Sequence, residues 1–134
     1  MGCVFCGIAS GKSAAYVVHE DEEVIAFLDS NPVSRGHTLI ISRKHYDNIL
    51  DIPEEMVMKV AARSKELASL YRSRLGADGF NTMQSSGKEA GQSVMHYHMH
   101  LVPRYKDDGL SLWLHRNADK RIDIQEAFDR IKGR

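Results

Sequence analysis

The feature that most limits what this chain can fold into is the run Met95-His96-Tyr97-His98-Met99-His100-Leu101-Val102, in which imidazoles and large apolar side chains alternate. Successive side chains of a strand point to opposite faces, so His96, His98 and His100 share one face and Met95, Tyr97, Met99 and Leu101 the other. The apolar row calls for a covering helix, and the imidazole row for a lined site. Neighbouring rings on such a row stand roughly 6 to 7 Å apart, close enough to act on one phosphate group. A lone histidine on a strand is usually a polar residue satisfied at the sheet surface. Three at strict period two are costly without a use, because they repel when charged and burial favours neutral rings of defined tautomer. The competing use is a metal, since His-x-His on a strand can supply two zinc ligands.

The rest of the chain reads as one α+β domain over residues 1–134, a size at which a single core can form. The apolar run 24–28 stops at Asp29, Ser30, Asn31 and Pro32, and a second run, 38–41, follows Gly36-His37; these predict two neighbouring strands. Between residues 51 and 75 the apolar period becomes helical, with Asp51 and Glu54 as a capping box, Pro53 in the first turn and Gly76 as terminator. A further strand is expected over Gly79 to Gln84, a polar loop over residues 85–91, and a strand over Ser93 to Pro103. Trp113 stands in a mixed segment, and Ile122, Ala127, Phe128 and Ile131 hint at a short C-terminal helix.

Charge excludes some partners. With 18 basic and 18 acidic residues the chain has no net field to draw it to nucleic acid or an acidic membrane. It holds neither an apolar run of spanning length nor a signal-peptide core, so a cytoplasmic location is expected. The start Met1-Gly2 lacks the Ser or Thr of a myristoylation signal, Cys6 standing in its place. In a reducing compartment Cys3-x-x-Cys6 reads as a metal clip or a redox pair, against the plainer reading of two free thiols.

His-x-His-x-His with large apolar residues between, preceded by Gly91-Gln92-Ser93-Val94, resembles the histidine-triad (HIT) family of nucleotide hydrolases and transferases. Phe27-Leu28-Asp29 and the block from Gly36 to His45 resemble it in the same order, so the likeness covers about residues 3 to 105. It implies an antiparallel sheet of about five strands with one long helix and a short C-terminal helix, assembled as a homodimer. It implies that His98 attacks the α-phosphorus of a purine nucleotide such as AMP or GMP and carries a nucleotidyl intermediate. His100 would contact the phosphate oxygens, Ser93 would assist the leaving group, and Gln92 with the amides from Gly91 to Ser93 would hold the phosphate. Asp29 would bind the ribose, Phe5, Ile8, Phe27 and Leu28 would wall the base, and His37 would help order the triad. Asp29 is otherwise an ordinary turn residue, and the apolar four ordinary core. The likeness to the zinc-containing microbial branch joins Cys3 and Cys6 to His45 and His96 as a structural zinc site, with no catalytic metal; His96 would thus stand in both the catalytic row and the metal set. One departure is that Ser85 or Ser86 stands where many relatives have Asn, which bears on the leaving group.

Phosphoryl chemistry suits these residues: neutral imidazole is a nucleophile, charged imidazole a proton donor, and neighbours set which is which. Three other readings compete. The chain could hydrolyse dinucleoside polyphosphates, use the triad to hold a catalytic zinc, or bind nucleotides as an interaction protein without catalysis.

Overall fold

The computed structural model describes residues 2–112 and 117–134, so Trp113 lies outside the described residues, as does Met1. The chain is α+β. Its elements are α1 (Val4–Ala9), β1 (Val17–Glu20), β2 (Val24–Leu28), β3 (Thr38–Ser42), α2 (Glu54–Leu75), β4 (Gly79–Gln84), a 3-10 turn (Lys88–Ala90), β5 (His98–Arg104) and α3 (Ile124–Ile131). The strands form one antiparallel sheet in the order β1-β2-β3-β5-β4.

Alternation sorts the sheet into two faces. Val24, Ala26, Ile40, Tyr97 and Leu101 pack against Val60, Leu67 and Tyr71 of α2. Ile25, Phe27, Leu39 and Ile41 point the other way, where Phe5 of α1 covers them. Ile41 pairs with His98 and Leu39 with His100, so both histidines rise on the face that α1 covers, and the long helix takes the apolar row.

The helix α2 has the expected bounds but not the expected cap. Asp51 does not cap it. Its carboxylate accepts from the amides of Asp47 and Asn48, and Pro53 holds the N-cap position. Gly76 ends the helix with φ 70°, as its position predicted. Gly36 sits at φ 89°, and a Cβ there would lie 2.7 Å from Leu75 Cδ1, so only glycine lets the chain turn into His37 and β3.

Three elements correct the sequence reading. The last strand begins at His98 rather than Ser93, because residues 94–96 bend: the His96 amide donates to the Val94 carbonyl (2.9 Å) and the Tyr97 amide to the Tyr46 carbonyl (2.7 Å). His96 therefore precedes the strand, outside the row that His98 and His100 form on it. Residues 4–9 and 17–20, which carried no predicted element, form α1 and β1.

Candidate active site and metal cluster

Hydrogen-bond partners fix the tautomer of each histidine on the site face. His98 Nδ1 lies 2.8 Å from the His96 carbonyl, which can only accept, so Nδ1 carries the proton and Nε2 of the neutral ring keeps a lone pair. The Val33 amide donates to His37 Nδ1 (3.1 Å), which puts the His37 proton on Nε2; that proton is given to His100 Nδ1 (2.9 Å), leaving His100 with its proton on Nε2. A lone pair on one ring thus stands beside an N–H donor on the next. The His98 and His100 ring centroids are 5.1 Å apart, and Phe5 meets His98 edge-on at the same separation. The rings lean closer than an ideal strand would bring them.

Burial favours the neutral forms of His37 and His100. Burial, reinforced by neighbouring His98 and His37, lowers His100 to about 4. Burial also lowers His37, partly offset by the Asp29 carboxylate 3.5 Å from its Nε2. Asp29, His37 and His100 lie close enough to hold an ion, but the proton relay from Val33 already occupies the facing nitrogens of both rings.

A second cluster joins Cys3 Sγ, Cys6 Sγ, His45 Nδ1 and His96 Nδ1, all within 4.8 Å of one another. The S···N separations are 3.4 Å for Cys3 to His96, 3.3 Å for Cys6 to His45 and 3.5 Å for Cys6 to His96. Ligands of tetrahedral zinc, with bonds of about 2.3 Å to sulfur and about 2.0 Å to nitrogen, stand about 3.5 Å apart, so the donors fit that ion. Both rings are also oriented from behind: His45 Nε2 by the Asp47 carboxylate (2.9 Å) and His96 Nε2 by the Ser42 carbonyl (2.6 Å). Burial lowers the affinity of His96 for a proton, favouring the neutral form a metal needs. Both ring nitrogens of His96 are engaged in this way, and its carbonyl accepts from His98 Nδ1.

Other residues are placed with mixed outcomes. Phe5 and Phe27 meet edge-on at 5.4 Å, with Ile8 packed beside them, and Leu28 is half-buried at the end of β2. Asp29 Oδ1 accepts from the Asn31 amide, as a turn residue would, while Oδ2 points to His37. Ser93 is exposed. Gln92 is a brace and not an open phosphate ligand: its Nε2 donates to the Asp47 and Val94 carbonyls and its Oε1 accepts from the Gly87 amide. The amides of Gly91 and Gln92 also turn inward, to the carbonyls of Lys88 and Gly87. Ser86 Oγ accepts from the Ile49 amide and Gln84 Nε2, which leaves Ser85 as the loop hydroxyl facing the question of the leaving group. Sequence reasoning missed Asp47 and Val33; only Asp47, two residues after His45, left a readable trace.

Residues 10–107 match the HIT domain family. An uncharacterized HIT-like protein of Methanocaldococcus jannaschii is 39% identical over 131 residues, 98% of this chain and 99% of that protein. An adenylylsulfatase of Arabidopsis thaliana is 35% identical over 108 residues, 81% of this chain and 55% of that protein. The crystal structure of a Zn-bound histidine triad family protein from Mycobacterium smegmatis superposes with TM-score 0.81 at 43% identity, covering 84% of this chain and 81% of that one.

Proposed function

Because this chain belongs to the HIT domain family, we propose that it is a hydrolase or transferase that releases a nucleoside 5'-phosphate, AMP or GMP, from an amine, acyl or phosphate leaving group through a nucleotidyl-His98 intermediate. The observation that carries this reading is the His98 tautomer: the His96 carbonyl holds the proton on Nδ1 and leaves Nε2 as the nucleophile.

In the first step the Nε2 lone pair forms a bond to phosphorus while the bond to the leaving group breaks, its electron pair leaving with that group, which Ser93 helps to protonate. The His100 Nε2–H stabilises a phosphate oxygen as charge builds. Water then attacks phosphorus, the phosphorus–nitrogen bond breaks, and its electrons return to Nε2 while the water proton passes to solvent. Asp29 binds the ribose hydroxyls, and Phe5, Ile8, Phe27 and Leu28 wall the base. The adenylyl chemistry in the name of the Arabidopsis relative supports an adenine nucleotide.

The four-donor cluster holds a structural zinc in this reading, supported by the ligand spacing and by the zinc-bound relative. Bound there, the ion cross-links the N-terminal segment to the residues around β3 and β5. A homodimer is supported by the open edge that β4 presents at the end of the sheet. Two free cysteines suit a reducing cytoplasm, and no helix among the described residues is long and apolar enough to cross a membrane.

The test is turnover of an adenosine phosphoramidate and of a dinucleoside polyphosphate by the unsubstituted protein and by His98→Ala. AMP release from at least one substrate, lost in the variant, is expected. AMP affinity in both proteins with turnover in neither would favour a binding protein without catalysis.

A further inference from the structure

We propose that Arg43 is a positioning residue that sets affinity for the nucleotide base by fixing the C-terminal end of α1. This rests on the reading above, in which Phe5 and Ile8 wall the base.

A helix as short as α1 has no stability of its own, so its place depends on what ties down each end. Cys3 and Cys6 anchor its start through the four-donor cluster. At its finish, the last carbonyls each need a donor. The Cys6 carbonyl accepts from the Ser10 amide (3.0 Å), the Gly7 carbonyl from those of Lys12 (2.9 Å) and Ser13 (3.1 Å), and the Ile8 carbonyl from that of Gly11 (3.1 Å). The Ala9 carbonyl takes its hydrogen bond from Arg43 Nη1 (3.0 Å).

The same guanidinium donates through Nε to the Asp21 carbonyl (2.8 Å) in the β1–β2 turn, and the Arg43 amide donates to the Glu23 carbonyl (2.8 Å). One planar fork therefore joins the exit of α1 to a turn that is itself pinned to β3. Between this tie and Cys6 stands Ile8, packed in the same cluster as Phe5, which lies between the two cysteines against Phe27 and His98. Lysine replaces the fork only in part, because its ammonium has donors enough for two carbonyls but no rigid plane to hold them in fixed directions. None of the hydrogen bonds of Arg43 reaches His37, His98 or His100. The cysteine end of α1 holds Phe5, which meets the His98 ring, whereas the arginine end lies next to Ile8.

The experiment compares Arg43→Lys and Arg43→Gln with the unsubstituted, zinc-loaded protein. It measures binding of AMP and of ribose 5-phosphate, kcat, and amide hydrogen exchange across residues 4–9. Expected are AMP affinity weakened about 10-fold in Arg43→Gln and less in Arg43→Lys, ribose 5-phosphate affinity and kcat within about twofold, and faster exchange confined to α1. Unchanged AMP affinity, equal weakening of AMP and ribose 5-phosphate, or unchanged exchange in α1 would each overturn the proposal. Failure of the unsubstituted protein to bind AMP would instead remove the nucleotide reading on which it rests.

Discussion

His37 Nε2 lies 2.9 Å from His100 Nδ1, and the Val33 amide behind His37 leaves only one direction in which that proton can be given. The Val33 backbone N–H thereby decides which nitrogen of His100, 63 residues after His37, is left as a donor.

His37→Phe keeps an aromatic ring but ends this relay. The His100 tautomer is then free, and kcat falls on the order of 10²-fold with KM little changed. Steady-state kinetics check this, and an unchanged kcat would show that His100 does not depend on His37.

The same burial makes stability depend on pH. An unfolded histidine titrates near 6.5, whereas folded His100 is held at about 4. Between those values the unfolded chain binds more protons, so stability rises with pH through that window and levels off above about 6.5. In urea unfolding of metal-loaded protein, the loss of stability on going from about pH 7 to about pH 5 should be smaller in His100→Asn than in the unsubstituted chain. Equal losses would contradict the shift.

Removing the metal should soften the whole N-terminal half. Protein prepared without chelator is expected to carry about one equivalent of zinc, and Cys3→Ser or Cys6→Ser to lose it together with about 10 °C of melting temperature. Elemental analysis and calorimetry decide this; a zinc-free protein of unchanged melting temperature would rule the site out.

Tyr71 ties α2 to the strand that leads out of His37. Thr38 Oγ1 donates to the Gly36 carbonyl (2.7 Å), so it is Tyr71 that donates to Thr38 Oγ1 (2.6 Å), in a buried setting. Tyr71→Phe removes the donor without orphaning the hydroxyl of Thr38 and should cost about 1 kcal/mol of stability by chemical denaturation. A cost near zero would mean that water replaces the bond.

Much of this architecture was legible in the sequence, where one period dominated. The runs at 24–28 and 38–41, and the helix that Gly76 ends, carry apolar patterns longer than any local distraction. Two elements were not: β1 is an edge strand whose Val17 and Val18 face solvent, and α1 is too short to show a helical period. The histidine row was read one residue pair too far toward the N-terminus, because alternation alone cannot show that residues 94–96 bend. In the same way, Asp51 and Glu54 have cap spacing, yet the Asp51 carboxylate was claimed by the preceding turn. Gln92 looked like a ligand because its partners, Asp47 and Gly87, come from separate loops that only the fold brings together.

In the proposed reaction the His98 ring presents Nε2 to phosphorus. Rapid quenching with an adenosine phosphoramidate, followed by intact-mass and fragment analysis, should find one adenylyl group on Nε2 of His98 at early times and none in His98→Ala. Turnover with no covalent adduct on His98 at any time, or an adduct that persists in His98→Ala, would contradict it.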